Sequence, residues 1–247
     1  MASFTPTVPA SHPTSRGKRA DLPPVIGGGD GGRPDPGSPD YGARLRRARL
    51  GLAVALTPIA MLFVAFTSAY IVRQGLPTFD PNTNTVVHDW IPVPLPTVLF
   101  LINTCVLLFS SVTIEFARRQ LARQVALEPV QSIPGVSLGK ESKFPWLALT
   151  IVLGLCFLTG QWLAWRDLAS RGFYVATNPS SSFVYLLTGS HAVHLFGGIV
   201  ALLAAGASVV MNRPLASRRI VVDVTAWYWH FMALLWIYIL ALLEFAH

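Results

Sequence analysis

The sequence predicts an all-α polytopic membrane protein, in which a bundle of five transmembrane helices follows a disordered amino-terminal tail. Of its 247 residues, 52% are apolar and only 13% are charged, about half the charged share of a typical soluble protein. The apolar residues fall in five runs, each about 20 residues or longer, and a helix of that length crosses the ~30 Å hydrocarbon core of a bilayer. Because lipid offers no hydrogen bonds to exposed backbone, helices are expected there instead of open strands. An ordinary cytosolic enzyme does not fit this composition, and two cysteines are too few for a disulfide scaffold.

The tail, residues 1–43, is predicted to be disordered and cytoplasmic. It holds 8 of the 19 prolines and 8 of the 19 glycines of the chain, and few aromatic residues. Such a segment cannot bury enough apolar surface to offset the entropy of ordering it. Its basic residues are sparse and have no interleaved aromatics, so we expect no nucleic-acid partner.

The first two predicted helices of the five-helix domain, residues 44–247, lie at about 50–72 and 95–117. The first run carries no charge and follows directly on the cluster Arg44-Leu45-Arg46-Arg47-Ala48-Arg49, which should hold its start at the membrane surface. The second run ends in Ser110-Ser111-Val112-Thr113-Ile114-Glu115, where the carboxylate is expected at the interface.

The other three predicted helices lie at about 146–166, 183–211 and 222–244. The fourth belongs to a stretch, 172–212, that contains no acidic residue, lysine or arginine. The loop before it, 177–182, is rich in Asn and Ser and is typical of a turn that leads into a helix cap. Asp223 and Glu244 mark the two ends of the fifth run.

Loop charge predicts the orientation of the bundle. Sixteen of the 19 Lys and Arg residues fall on the side of the amino terminus, and only Arg73, Arg166 and Arg171 fall on the other. Because basic loops stay in the cytoplasm, we predict a cytoplasmic amino terminus and an external carboxyl terminus. The sequence has no internal repeat, so a transporter built from inverted halves gains no support.

Three histidines lie within the predicted spans: His191, His194 and His230. The first two are three residues apart and are expected on one helix face. One interpretation is a haem or metal site, because imidazole binds iron, copper and zinc. The other, which we favour, is hydrogen bonding between helices; two bis-histidine haems would need a fourth histidine.

Other polar and aromatic side chains are candidates for function. Glu115 is either an antenna for proton uptake or an interfacial carboxylate paired with the arginines three and four residues later, and we favour the second. Gln161 is a buried amide that needs a partner. Trp227 and Trp229 lie near a span boundary, as in an interfacial aromatic belt.

Two motifs resemble subunit III of the haem–copper oxidases. The fifth span contains Trp227-Tyr228-Trp229-His230-Phe231 and then Trp236, and it resembles that family's final helix, where a Tyr-Trp-His-Phe core precedes a Trp. The fourth span, Thr188-Gly189-Ser190-His191-Ala192-Val193-His194, resembles the family's Thr-Gly-x-His-x-x-His helix. The resemblance extends over about residues 45–245 and takes in all five spans in order.

The resemblance implies the short, five-helix bacterial form of subunit III in an inner membrane. In that family the subunit binds no haem, copper or other metal, packs on catalytic subunit I beside other oxidase subunits, supports proton uptake and holds membrane lipids. The parent complex, part of the aerobic respiratory chain, reduces oxygen with electrons from cytochrome c or quinol and pumps protons. The resemblance implies that this chain is non-catalytic and that His191, His194 and His230 have structural or interface roles. We expect the same kind of role for three other side chains: Trp227, Trp229 and Gln161.

The sequence also departs from the family. Where members carry a Ser-Glu pair before a Met-Leu-Phe stretch, this chain has Pro58 and Ile59, and where many carry an Asp after the His-Phe pair it has Ala233. The resemblance therefore implies the packing role more directly than a proton-linked one. Two alternatives stay open: an accessory subunit of a nitric oxide reductase, and a haem-binding membrane anchor that uses its own histidines.

Overall fold

Five long helices make up most of the chain in the computed structural model. The structure describes residues 41–80, 84–87, 90–91, 93–131, 145–211 and 213–245. The helices of this part of the chain are α1 (Tyr41–Gly75), α2 (Thr97–Gln131), α3 (Trp146–Ser170), α4 (Pro179–Val210) and α5 (Leu215–Phe245). Each is long and apolar enough to cross a membrane, so the predicted five-helix membrane fold is confirmed.

The structure adds one element to the five helices. A short antiparallel hairpin of β1 (Thr78–Asp80) and β2 (Thr85–Val87) connects α1 to α2, and the sequence analysis did not predict it. The predicted disorder of the tail falls almost wholly on residues 1–40, which lie outside the described residues. The division of the chain at residue 44 stays a prediction.

Three helices extend well past their apolar runs. Helix α1 begins at Tyr41 instead of about 50, α2 continues to Gln131 instead of about 117, and α5 begins at Leu215 instead of about 222. The added segments are rich in Arg, Ala, Leu and Gln, which favour helix regardless of whether lipid surrounds them. The extension of α2 is packed against other helices, because its Leu121 forms a small apolar cluster with Ala205 of α4 and Val222 of α5.

Helix α4 begins four residues before the predicted start at 183. Pro179 occupies its first position, where the fixed φ of proline suits the helix and the missing N–H costs nothing. The backbone N–H of Asn178 donates to Ser181 Oγ at 3.2 Å. The polar loop therefore starts the helix earlier than the apolar run does.

Helices α2, α3, α4 and α5 form a closed ring in which each packs on its two neighbours. Helix α1 lies outside this ring and packs on α4 and α5. The ring is filled with aromatic side chains that are almost completely buried: Phe100, Phe157, Trp229 and Trp236. Most of the apolar surface of α1 stays exposed.

Side-chain hydrogen bonds connect neighbouring helices throughout the ring. Thr113 and Thr150 share a bond of 2.8 Å between α2 and α3, and Trp165 Nε1 donates to Thr188 Oγ1 at 3.0 Å between α3 and α4. Trp236 Nε1 donates to Thr104 Oγ1 at 2.9 Å between α5 and α2. Because apolar helices gain little by leaving lipid for one another, such bonds and close packing hold a membrane bundle together.

Candidate functional site

The densest polar cluster in the described chain is an ion-pair network where α1, α2 and α5 meet. It consists of Arg49, Glu115, Arg118, Arg119 and Asp223. Asp223 of α5 accepts two hydrogen bonds from Arg49 of α1, from Nε at 2.8 Å and from Nη2 at 2.9 Å. Arg118 Nη1 of α2 reaches the same carboxylate at 3.2 Å. One carboxylate, whose side chain is only 8% exposed, therefore joins three helices.

Glu115 is the second acidic centre of the network. Arg118 binds it with both Nε and Nη2, at 2.8 and 2.9 Å, and Arg119 Nε donates to it at 2.7 Å. These are the i+3 and i+4 pairs expected from the sequence. Arg118 lies between the two carboxylates and contacts both, so the pairs form one continuous chain of charges.

His230 borders this network from α5. Its Nδ1 shares a hydrogen bond of 2.5 Å with Ser111 Oγ of α2, and its Nε2 lies 3.6 Å from Glu115 Oε2. The imidazole thus makes an interhelical contact of the kind we favoured from the sequence. Chemically, the arrangement can neutralise charge and fix three helices relative to one another.

The other two histidines lie elsewhere, although they share a helix. The His191 ring is fully buried between Trp236 and Phe157, with centroids 5.2 and 6.0 Å away. The His194 ring contacts Phe63 of α1 instead, at 6.0 Å, and its Nδ1 donates to the Ser190 carbonyl at 2.7 Å. The two rings therefore contact different helices: His191 packs against α3 and α5, whereas His194 contacts α1.

Gln161 and His191 are the two buried side chains of this interior that make no hydrogen bond to the described residues. Gln161 is 1% exposed on α3, as expected for a buried amide. One residue earlier, Gly160 leaves room for Asn103, because an added Cβ would lie 2.0 Å from Asn103 Oδ1. Asn103 Nδ2 in turn donates to the Phe157 carbonyl at 3.3 Å.

The two tryptophans predicted as belt residues differ. Trp227 is 51% exposed, as a membrane-facing position requires, whereas Trp229 is completely buried. Trp229 Nε1 donates to Ser110 Oγ at 2.9 Å, and its ring fills a slot above Gly154 and Gly198. The belt interpretation is therefore wrong for Trp229, because small residues on two other helices make room for it in the core.

Each of the three imidazoles contacts a different set of residues. Within the described residues, no group of three or more His, Cys, Asp or Glu side chains is placed to hold a metal ion. The anchor hypothesis, in which His191, His194 and His230 act together on one metal, gains no support from this placement.

The two sequence motifs of α4 and α5 meet in space. Tyr228 Oη donates to the His194 carbonyl at 2.8 Å, and the Trp236 ring packs against His191. A sequence model of the family described as Cytochrome c oxidase subunit III matches residues 43–245. The chain belongs to the cytochrome c oxidase subunit III family. The contact between the motifs shows how this subunit III fold uses them: they join its last two helices.

Individual relatives agree with this family. A probable cytochrome c oxidase subunit 3 of Mycobacterium tuberculosis is 30% identical over 100 residues, which cover 40% of this chain and 49% of that protein. The cytochrome c oxidase subunit 3 of Branchiostoma floridae is 28% identical over 195 residues, or 77% of this chain and 66% of that one. That of Thermostichus vulcanus is 29% identical over 197 residues, or 78% and 85%. The chain spans about half the length of the mycobacterial relatives that it matches.

The structure also places the positions where this subunit III departs from the motif pattern. Ala233 is buried on α5, and Ile59 packs against the main core from α1. Both positions are occupied by apolar side chains in apolar surroundings. The sequence does not indicate the pairing of Arg49 and Arg118 with Asp223, because those partners are more than 100 residues apart and no local pattern connects them.

Proposed function

We propose that this chain is the non-catalytic subunit III of a bacterial haem–copper oxidase of the cytochrome c oxidase type. It packs beside the catalytic subunit in the inner membrane and supports oxygen reduction and proton uptake by the complex. The observation that carries this proposal is that the sequence model of the subunit III family matches residues 43–245. That range includes the membrane-spanning part of all five helices.

The surface of the bundle supports an assembly role. Helix α1 carries exposed Val54, Met61 and Val64, so its outward side suits lipid or another membrane helix. On this proposal the haem and copper centres belong to the partner chain. Within the bundle of this chain, His194 and His230 make hydrogen bonds and His191 packs between aromatic rings.

Glu115 takes a structural role in this proposal. Two arginines already bind both of its carboxylate oxygens, and a carboxylate so paired ties helix segments together. An exposed antenna would instead present a carboxylate to water. The support of proton uptake is therefore proposed for the complex as a whole, through the packing of this subunit.

Affinity purification from native membranes tests the proposal. The chain, tagged at its amino terminus and solubilised in mild detergent, should bring down a catalytic subunit with haem and copper, and the preparation should consume oxygen with reduced cytochrome c or quinol. Untagged cells serve as the control. A copper-free partner that reduces nitric oxide would assign the chain to the alternative enzyme, and haem that stays on the isolated chain and is lost on His191→Ala or His230→Ala would make it a haem anchor.

A further inference from the structure

Two polar side chains inside the helical ring have no hydrogen-bond partner among the described residues. They are Gln161 of α3 and His191 of α4, which are 1% and 0% exposed. Both polar atoms of the amide and both nitrogens of the imidazole are buried. A buried polar group without a hydrogen bond is costly, and such groups in proteins are rarely left without one. The pair therefore indicates a bound polar partner.

The register of α3 and α4 places these two side chains at the same level. Trp165 of α3 donates to Thr188 of α4, and a Cβ atom added at Gly154 of α3 would lie 3.5 Å from Ile199 of α4. These two contacts are eleven residues apart on each helix, so the helices run in opposite directions in a constant register. Four residues along from the first contact, the amide and the imidazole are within one residue of each other, and one residue rises ~1.5 Å along a helix.

Both side chains face the interior of the ring. The His191 ring packs between Phe157 of α3 and Trp236 of α5. Phe157 is four residues before Gln161 and therefore lies on the same face of α3. The amide and the imidazole share a level and an interior, yet they make no direct hydrogen bond to each other. Water commonly bridges polar groups that are separated by such a gap.

The indole N–H groups near this pair already have partners within the protein. Trp236 Nε1 donates to Thr104 Oγ1 at 2.9 Å, and Trp165 Nε1 donates to Thr188 Oγ1 at 3.0 Å. The hydroxyl of Thr188 in turn donates to the Val184 carbonyl at 2.6 Å. Because these bonds use both indole donors, neither is available to the amide or to the imidazole.

The chemistry of the pair suits water better than an ion. Asp, Glu, Lys and Arg are absent from the apolar runs of the five helices: 50–72, 95–114, 146–165, 172–212 and 224–243. An ion between the helices at this depth would have no counter-charge, which is costly inside a membrane. The amide has a donor and an acceptor, and so has an uncharged imidazole. A water molecule has both as well and can bond to the two side chains at once.

We propose that the interior of the ring binds water, one molecule of which bridges the Gln161 amide and one imidazole nitrogen of His191. The bridge joins α3 to α4 in a part of the bundle that is otherwise packed with aromatic rings. Buried waters make about three hydrogen bonds each, so the four unpartnered atoms are enough for about one or two such molecules. The site goes beyond the proposed oxidase role and depends only on the folded bundle.

X-ray radiolytic labelling tests for this water. A brief X-ray pulse forms hydroxyl radicals from water, and radicals formed inside a protein oxidise the side chains beside them. The full chain, or its native complex, is irradiated in lipid nanodiscs, and the oxidised residues are located by mass spectrometry. Trp236 and Phe157, which flank His191, should be oxidised. Trp229 is the internal control, because it is equally buried but its Nε1 is bonded to Ser110, and it should stay unoxidised.

Substitutions on either side of the bridge should remove the labelling. Gln161→Leu should bring the oxidation of Trp236 down to the level of the control tryptophan, and His191→Phe should do the same from the other helix. Thr150→Val is the matched control. Thr150 is a fully buried polar side chain of α3, but its hydroxyl is bonded to Thr113, so this variant should leave the oxidation unchanged.

Thermal unfolding of the same variants in detergent gives a second measurement and verifies that each is folded. If one water serves both side chains, either substitution removes the shared bridge. The double variant Gln161→Leu with His191→Phe should then have an unfolding midpoint no lower than that of the less stable single variant, because the bridge can be lost only once. It also leaves neither group buried without its partner.

Three outcomes would overturn the proposal. Equal oxidation of Trp236 and Trp229 in the unsubstituted chain would show that no water is bound beside the imidazole, and coupled midpoint losses would then assign a direct bond between the two side chains. Unchanged oxidation of Trp236 in both Gln161→Leu and His191→Phe would show that other groups hold the water. Midpoint losses that add in full would show that the amide and the imidazole share no partner.

Discussion

Single residues in this bundle differ in role even where their sequence settings are alike. His191 and His194 are about one turn apart, yet one ring packs against Trp236 and the other meets Phe63 edge-on. Three helical residues rotate about 300°, which leaves the two side chains about 60° apart. In a bundle where each helix has several close neighbours, that offset is enough to direct them at different helices. His230 differs again, because it bonds across to α2.

We expect His230→Ala to lower the free energy of unfolding by about 1–2 kcal/mol, the value of one interhelical hydrogen bond in a membrane protein. The bond to Ser111 is lost, while oxygen reduction by complexes that still assemble should be retained. Thermal unfolding in detergent measures the first effect and oxygen consumption the second.

Ser111→Ala removes the other half of the same bond and provides the control. The double variant should be little less stable than either single variant, because the bond can be lost only once. Fully additive losses, or normal assembly with no turnover, would contradict this structural role for His230.

At the scale of helices, α1 depends on a small number of attachments. It lies outside the ring, and two of its contacts with α5 are polar: Arg49 with Asp223, and Thr67 Oγ1, which accepts from Tyr238 Oη at 2.8 Å. Since most of its apolar surface is exposed, these contacts add to the packing of the few α1 side chains that are buried in the main core, Phe63 and Tyr70. The nearly buried carboxylate of Asp223 also holds Arg118 of α2.

We expect Asp223→Asn to destabilise the bundle by about 1–3 kcal/mol, between the values for exposed and fully buried ion pairs. The change removes the charge that pairs with Arg49 and one of the two carboxylates that Arg118 contacts, while Arg118 keeps Glu115. Thermal unfolding in detergent, at low and moderate salt, is the measurement. Asp167→Asn is the matched control: its pair with Arg171 is much more exposed, so a loss below about 0.5 kcal/mol is expected. Equal effects of the two substitutions would refute a special role for Asp223.

For the molecule as a whole, five crossings place the two ends of the helical domain on opposite sides of the membrane. The distribution of basic residues predicts which side is which, with the amino terminus in the cytoplasm. The basic cluster of 44–49 forms part of α1, where Arg49 also pairs with Asp223.

Reporter fusions in bacterial cells test this orientation. Alkaline phosphatase fused after residue 247 should be active, because the enzyme needs the periplasm, and a fluorescent protein fused before residue 1 should fluoresce in the cytoplasm. Alkaline phosphatase placed in the segment between α2 and α3 should be inactive. The reverse pattern would show that the charge rule has misplaced the chain.

The sequence predicted the number and positions of the helices because a charge-free run of about 20 residues can cross lipid only as a helix, which satisfies its own backbone hydrogen bonds. The helix ends were predicted less accurately. Arg and Ala favour helix, so they extend it past the end of the apolar run, as in α2 beyond residue 117. It predicted the pairing of Glu115 with nearby arginines because that pairing is local. Contacts that depend on tertiary packing, such as Arg49 with Asp223 or Trp229 above Gly154 and Gly198, have no signature in any single segment.

The outside position of α1 has a consequence for biosynthesis. Among the helices, α1 packs only on α4 and α5, which are the last to leave the ribosome. At roughly 5–20 residues per second, the first helix must wait on the order of ten seconds or more in the bilayer before its neighbours emerge. During that interval its apolar side is held by lipid or by the insertion machinery, so the first helix made cannot complete its packing until the last two have been made.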